Sequence, residues 1–375
     1  MKVVVAGGGV IGLSVAWQAA RHGHEVVLAD PDPGRGTSWA GAGMLAPVAE
    51  AYFGEEAITA FGMAASHRWE SWADELRADA GSDPGYTRKG TLVIARDHDE
   101  LAALVPLHEM QLAQQLRAER VSAREARRIE PALAPAICGG LWLADDHQVD
   151  NRLYVRALID ACGRAGVSFV HERAATCAPT HVTLDGGIDM AADAVVVATG
   201  TWQPVIEAGG EQIDLYLRPV KGQIIRVRST NRAVFPTRTV RSGPIYVVPR
   251  DHGELAIGAT AEERGFDTTV TAGAARELLT KSWELLPGLA EAELVEVMAG
   301  LRPGTPDNAP MIGRLPGGPI LAMGHFRHGI LFSPATAAAV VAMIDGGEVP
   351  EVVAPFTPER FAGATTARRQ AKART

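Results

Sequence analysis

The sequence predicts an α/β chain: a parallel sheet flanked by helices, joined to a second, α+β unit built on an antiparallel sheet. Three observations predict it. Residues 3–12 read Val-Val-Val-Ala-Gly-Gly-Gly-Val-Ile-Gly, an apolar β-branched run that enters glycines spaced G-x-G-x-x-G, with a helical pattern directly behind. Ala194-Val-Val-Val-Ala-Thr-Gly200 is apolar through most of its length, as a strand covered on both faces must be. From Ile213 to Thr260 short strands alternate with turn residues, the texture of antiparallel sheet.

The opening run reads as a buried strand delivering its end to a helix N-terminus, where free N–H groups and the helix dipole attract a pyrophosphate. Gly7 allows the tight turn, Gly9 lets phosphates approach the backbone, and Gly12 lets helix and strand pack closely. The helix runs to about Arg21, and Gly23 marks its end. The next strand, Glu25-Val-Val-Leu-Ala-Asp30, ends in an acid at the distance expected for a ribose contact. Strand, helix, second strand and terminal acid together point to a Rossmann-like dinucleotide site; a tight turn without a ligand is the plain alternative.

The loop Gly34-Arg-Gly-Thr-Ser-Trp-Ala-Gly-Ala-Gly-Met-Leu45 is dense in small residues, which suits close backbone approach to a large flat ligand. Glu55 to Ala80 reads as helical, Thr91–Ala95 as a strand, Asp97 to Arg120 as helical, and Cys138–Leu143 as a strand. Arg152 to Ala165 reads as an amphipathic helix, and Val167–His171 as a short parallel strand. The Ala194–Gly200 run belongs beside the first strand, bringing Ala198, Thr199 and Gly200 to the same ligand edge. Gln223–Arg228, Ile245–Pro249 and Glu254–Gly258 are antiparallel strands, the last two joined as a hairpin through Asp251-His-Gly253. Ala274 to Leu286 is helical. Leu321–Thr336 then repeats the order of strand, glycine loop and helix, with Pro334 in the first turn of a helix reaching Ile344.

The expected division is discontinuous: 1–80, 148–212 and 298–365 form the nucleotide-binding domain, and 81–147 with 213–297 the substrate domain. The basic tail, 366–375, is expected to be disordered. With 375 residues and 47% hydrophobic residues the chain can bury a large core. A formal charge of −8 argues against nucleic acid as a partner. Three cysteines, Cys138, Cys162 and Cys177, without C-x-x-C spacing suggest no disulfide framework and a reducing compartment. No metal-ligand spacing is present. The N-terminal apolar run is too short and too glycine-broken for a signal peptide. No stretch approaches the length of a membrane-spanning helix. A cytoplasmic protein without a membrane partner is the expectation.

Several stretches are more restrictive than the opening glycines: Thr37-Ser38 with Ala42-Gly-Met-Leu45; Pro219-Val-Lys-Gly222; Tyr246-Val-Val-Pro-Arg250; Ala299-Gly-Leu-Arg-Pro-Gly-Thr305 followed by Asp307; and Gly324-His-Phe-Arg-His-Gly-Ile-Leu331 with Pro334-Ala-Thr336. With them, nearly the whole chain resembles the D-amino-acid oxidase and sarcosine oxidase superfamily, and within it the FAD-dependent glycine oxidases of thiamine biosynthesis. The resemblance implies a Rossmann-like FAD-binding domain with a second α+β substrate domain on an antiparallel sheet. It implies FAD rather than NAD, a homo-oligomer, and a cofactor seat of Gly7, Gly9, Val10, Ile11, Gly12, Asp30, Thr37, Ser38, Ala42, Gly43, Met44, Thr199 and Gly200. Gly324, His325, Phe326, Arg327, His328, Gly329, Ile330 and Leu331 complete that seat. A second helix N-terminus, after Gly329, would set positive dipole near the pyrimidine end of the ring and favour the reduced form. Some relatives hold flavin through a cysteine near the Gly300 region; none of the three cysteines lies there, so non-covalent FAD is expected.

The resemblance also implies the chemistry. Arg302 would clamp the substrate carboxylate, because a planar guanidinium offers two parallel bonds to it. Tyr246 would touch that carboxylate or shape the pocket, and Arg327 would be a second cation. A hydride would pass from Cα–H of a neutral amine to flavin N5, with no obligatory acid or base. Molecular oxygen would then accept the electrons as hydrogen peroxide, and the imine would hydrolyse to a 2-oxo acid and ammonia. His325 reads as loop packing. Arg302, between Gly300 and Pro303-Gly304, reads as part of a constrained loop. Pro244, two residues before the tyrosine, replaces a polar residue found in some glycine oxidases and leaves substrate range open. Trp39 and Trp202 lie near cofactor-facing loops with no assigned role. The alternatives are a D-amino-acid or sarcosine oxidase, a dehydrogenase passing electrons to another acceptor, an FAD-bearing subunit of a heteromeric dehydrogenase, and a nicotinamide dehydrogenase.

Overall fold

The computed structural model describes residues 1–229, 231 and 235–361; the basic tail lies outside them. The first sheet has six strands, in the order Met311–Arg314, Ile320–Met323, Ala194–Val197, Lys2–Ala6, Glu25–Ala29 and Ser168–Val170. Every neighbour pair is parallel except the first. Ala6 pairs with Val197 on one side and Ala29 on the other, so the ends of three strands share one edge. Val3, Val4, Val5 and Ala194 to Val197 have no solvent exposure, which accounts for their uninterrupted apolar sequence.

Helices Val10–Arg21, Trp69–Ala80, Asn151–Arg164 and Gly329–Asp345 cover one face of this sheet. Between them lies a polar knot in which the Tyr154 hydroxyl accepts from Trp72 Nε1 (2.9 Å) and meets Ser333 Oγ (2.8 Å) and Ser14 Oγ (3.3 Å). Burial pushes that phenol up to about 12, so it stays neutral. The other face is covered by a five-stranded sheet from residues 174–213, for which the sequence carries no clear signal. Its strands are three to four residues long, too short for periodicity to register.

The second large sheet has eight strands, in the order Glu293–Gly304, Arg218–Arg228, Glu254–Gly258, Ile245–Pro249, Thr239–Ser242, Thr91–Ala95, Gly139–Leu143 and Glu119–Ser122. The expected hairpin is present, with Val248 opposite Ala256. Helix Ala272–Leu285 packs on one face. The opposite face looks toward the Gly41–Met44 segment: Ala42 clusters there with Ile224, Val248 and Ala256, and Met44 and Tyr246 pack against the cluster.

Local expectations need correction at several points. The span Glu55–Ala80 is two helices, Glu56–Ser66 and Trp69–Ala80. The helix expected to reach Arg120 stops at Ala113, Gln115 adopts φ 60°, and Glu119–Ser122 is a strand. The small-residue loop contains a helical turn, Thr37–Ala40, and a two-residue strand, Met44–Leu45. The last helix begins at Gly329, five residues before Pro334, so the proline is internal. Proline cannot donate to the Ile330 carbonyl four residues back; the Ser333 hydroxyl donates to it instead (2.8 Å). Among the described residues one helical stretch, Phe326–Asp345 (the 3-10 turn Phe326–His328 and the helix that follows it), is long and apolar enough to cross a membrane, contrary to the expectation of none. It is 67% buried inside the fold over its most apolar window, as a core helix is.

Arg302 does not sit in a loop. It lies on Glu293–Gly304, a 12-residue edge strand whose register with Arg218–Arg228 pairs Val220 with Arg302 and Gly222 with Gly300. The glycines and Pro303 disguise the strand. Pro303 faces Pro219, on an edge strand and beyond the segment paired to Glu254–Gly258, where neither proline removes a bond that a third strand needs.

Candidate functional site

At the shared edge of the first sheet, Gly7 adopts φ +102° and a Cβ there would meet the Ala198 carbonyl oxygen at 2.5 Å. A Cβ on Gly12 would lie 1.8 Å from the Gly7 oxygen, so helix and strand pack backbone to backbone. Gly9 is the N-cap of Val10–Arg21 and offers no side-chain cap. Ser38 Oγ accepts from the Val10 N–H (3.0 Å). Asp30 sits at the end of its strand and accepts from the N–H groups of Gly8 (2.7 Å) and Asp32 (2.8 Å). Across the edge, Thr199 Oγ1 is buried with no hydrogen-bond partner among the described residues, and Gly200 follows at φ +64°.

A second helix start faces the same region. Gly324 and Phe326 adopt φ +72° and +45°, and a short 3-10 turn, Phe326–His328, leads into Gly329–Asp345, whose N-cap His328 makes no side-chain cap. Ile330 Cδ1 lies 3.2 Å from where a Cβ on Gly41 would stand. Thr37–Ala40 runs along the edge strand: Thr37 Oγ1 donates to the Leu301 carbonyl, and a Cβ on Gly300 would meet Ala40 Cβ at 2.9 Å. Two helix N-termini without side-chain caps, a glycine cradle, a terminal acid and an orphaned buried hydroxyl converge as a dinucleotide with a flat ring would require. These residues fit FAD.

On the adjoining face of the second sheet, two bare glycines make room for two long side chains. A Cβ on Gly222 would stand 2.4 Å from Arg302 Nη2 and 2.5 Å from Cζ. A Cβ on Gly258 would stand 2.5 Å from the Tyr246 hydroxyl. Tyr246 pairs directly with Gly258, and Gly222 is the diagonal neighbour of Arg302 on one sheet face. The Arg302 guanidinium donates to the Thr260 carbonyl (3.1 Å), and its charge acts on the Tyr246 phenol. Burial raises the Tyr246 phenol, opposed by Arg302, so it remains a neutral donor.

Arg327 is held differently from a free second cation. Its Nη2 donates to Glu55 (2.6 Å), and its Nε lies 3.8 Å from Glu50. Glu50, which no motif in the sequence singles out, is nearly buried among Arg241 (3.4 Å), Arg327 and His328 Nδ1 (3.2 Å). Burial alone would raise its carboxyl. The pull of His328 and the guanidiniums of Arg241, Arg327 and Arg302 outweighs that and holds it below the usual carboxylate range. Asp146 accepts from the Val48 and Ala49 N–H groups and so braces this turn; burial pushes its carboxyl up to about 7. The only early signal of Glu50 is an acid standing alone in the run Leu45-Ala-Pro-Val-Ala-Glu50-Ala.

Both histidines of the glycine loop are buried. His325 meets Thr336 Oγ1 (3.1 Å), and burial drives its pKa down to about 3. His328 stacks on Phe332 at 5.0 Å with its Nδ1 3.2 Å from Glu50, and burial drives its pKa down to about 4 against the pull of that carboxylate. Trp39 is flanked by the guanidiniums of Arg35 (4.2 Å) and Arg152 (4.6 Å), and Trp202 stacks on Phe266 (4.8 Å). Among the described residues no group of three or more His, Cys, Asp or Glu side chains could hold a metal ion.

Comparison with known proteins supplies the family. A glycine oxidase of Geobacillus kaustophilus is 31% identical over 370 residues, covering 96% of this chain and 97% of its own. One from Pseudomonas putida is 33% identical over 374 residues, covering 96% and 98%. The bifunctional protein ThiO/ThiG of Synechocystis is 32% identical, and this chain spans only 54% of its length. The crystal structure of the Geobacillus kaustophilus glycine oxidase superposes with a TM-score of 0.86 at 30% identity, over 95% of this chain and 97% of that one. The family model for FAD dependent oxidoreductases (DAO) matches residues 2–343. The chain therefore belongs to the DAO family of FAD-dependent oxidoreductases, as an amine oxidoreductase similar to glycine oxidases.

Proposed function

We propose that this chain oxidises glycine or another small amino acid to its imine, with molecular oxygen reduced to hydrogen peroxide, and that it serves thiamine (thiazole) formation from the cytoplasm as a homo-oligomer. The observation that carries the reading is the meeting of Arg302 and Tyr246 over two side-chain-free glycines, beside the segment that fits the flavin. Arg302 binds the substrate carboxylate through paired N–H donors, and the Tyr246 hydroxyl adds a third contact. That grip fixes Cα and leaves the amine neutral and unclamped. Arg327 is neutralised by Glu55 and Glu50, so it closes the pocket wall rather than supplying a second anchor. When bound, FAD supplies the two-electron acceptor for the substrate Cα–H bond, and it is held non-covalently. The glycine-rich edge and both helix N-termini hold its pyrophosphate and ring.

The names of the relatives support the substrate class: glycine oxidases and ThiO proteins at about one third identity along nearly the whole chain. The test is anaerobic stopped-flow reduction of the bound flavin by glycine, sarcosine and small D-amino acids, followed by peroxide measurement on admitting oxygen. Bleaching by glycine with stoichiometric peroxide is the expected result. Bleaching without peroxide overturns the oxidase reading, and no bleaching by any of the three overturns the amine reading.

A further inference from the structure

The motif Tyr246-Val-Val-Pro-Arg250 ends in an arginine that the proposed chemistry does not use. Arg250 is buried, as is Arg226 on the neighbouring Arg218–Arg228 strand. The two guanidiniums converge on a third buried residue, Asn151, whose Oδ1 accepts from Arg226 Nη2 (2.9 Å) and Arg250 Nη2 (3.2 Å). All three then grip one short segment. Asn151 Nδ2 donates to the carbonyls of Ser38 and Trp39 (2.9 Å each), Arg226 Nη2 to that of Gly41 (3.4 Å), and Arg250 Nη2 to that of Ala42 (2.6 Å). Four of the five carbonyls from Ser38 to Ala42 are thus held by three side chains from outside the segment.

The held segment, with Thr37 before it, touches both helix starts of the cofactor seat and the edge strand that carries Arg302. Ser38 accepts from the first N–H of the Val10–Arg21 helix, Gly41 lies against Ile330 at the start of the Gly329–Asp345 helix, and Thr37 donates to Leu301 beside Arg302. The same sheet face that presents Tyr246, Gly222 and Arg302 at one end presents Arg250 and Arg226 at the other, in alternate positions along the same strands.

Stability alone does not account for this arrangement. Arg226 is paired with Glu254 (2.7 Å), Arg250 lies 3.6 Å from Asp150, and Arg152 pairs with Glu296 (2.6 Å). Arg226 Nε and Arg250 Nη1 nonetheless stay buried without a hydrogen-bond partner among the described residues. Burial lowers the Arg250 guanidinium to about 10. A well-packed apolar cluster of the same volume would avoid that desolvation. What it could not do is donate to main-chain carbonyls.

We propose that Arg250, with Arg226 and Asn151, is a positioning clamp: it sets the Ser38–Ala42 segment against the flavin and locks that seat in register with the Tyr246–Arg302 pair. The clamp rests on FAD binding alone and is independent of which amine is oxidised.

The test uses holoprotein carrying Arg250→Lys or Asn151→Ala, with Glu130→Gln as a control. Glu130 is also buried and hydrogen-bonded, to Thr237, but belongs to no part of this network. Lysine keeps the buried charge but cannot reach two acceptors in the fork geometry. Three quantities are read well below the melting temperature: the dissociation constant of FAD from apoprotein titration, the shape of the visible flavin band, and the flavin midpoint potential. FAD binding weakened about tenfold or more in both clamp variants, with an altered flavin band or potential and no such change in Glu130→Gln, is the expected result. If both clamp variants bind FAD within twofold of the parent with an unchanged band and potential, the three residues are only a structural support and the proposal fails. It fails equally if the control moves these quantities as far as the clamp variants do. Because no substrate is added, glycine failing as a substrate leaves this result readable.

Discussion

Gly222→Ala is the sharpest perturbation of the candidate site. The added Cβ would stand 2.4 Å from Arg302 Nη2 and 2.5 Å from Cζ and Nη1, whereas ordinary contact requires about 3.5 Å. The guanidinium must therefore move by roughly 1 Å, and as the far end of a flexible side chain it can do so at little cost to folding. Gly222 does not occupy the left-handed region, so alanine adds no backbone strain. Stability should change by about 1 kcal/mol at most. Catalysis should not be so tolerant: a displacement of about 1 Å from the near-attack geometry costs on the order of 100-fold. The assay is kcat/KM for glycine from peroxide release, together with flavin content and Tm. A variant that keeps its flavin and Tm but loses about 100-fold in kcat/KM is the expected outcome. Undiminished kcat/KM would refute the claim that Arg302, in this position, anchors the substrate.

The other predictions address charge, protonation and the cofactor link. Arg302→Ala should lose roughly 2–5 kcal/mol of substrate interaction while retaining flavin; an unchanged kcat/KM on glycine counts against the assignment. Tyr246→Phe should cost about 1 kcal/mol, the usual worth of one hydrogen bond, read as a rise in KM without loss of flavin. Burial holds the His325 pKa down to about 3 against 6.5 when unfolded, so it costs the fold nothing above pH 6.5 and a penalty that grows as pH falls toward 3. Asp146, raised to about 7, acts in the opposite sense and favours the fold as pH drops from 7 toward 3.8. A His325→Gln variant should therefore lose roughly 1 kcal/mol per pH unit of acid sensitivity below pH 6.5 relative to the parent, checked by denaturation at pH 7 and pH 5. Acid precipitation should release the flavin into the supernatant; a precipitate that stays yellow overturns non-covalent binding.

Much of the fold is legible in the sequence because its signals are local. Gly7, Gly9 and Gly12 stand in one turn between one strand and one helix, and steric limits at a single backbone crossing dictate them. The Ile245–Gly258 hairpin carries its alternation and its turn within 14 residues. The motif around Arg302 points to that residue but not to its strand, because glycine and proline read as loop unless the edge position that tolerates them is known.

The amino-acid sequence by itself determined the strand–glycine–helix cradle and the buried parallel strands, and the family its motifs resemble pointed to Arg302 and Tyr246 as a pair worth testing. Only the tertiary structure decided that Arg327 is neutralised by Glu55 and Glu50, that Gly222 and Gly258 make room for the pair, and that Asn151, Arg226 and Arg250 close on Ser38–Ala42. The physical reason is range. Periodicity and turn chemistry act over a few residues, whereas a charge finds its counter-ion, and a carbonyl its donor, far along the chain, 277 positions apart for Arg327 and Glu50, in contacts that exist only once the chain has folded.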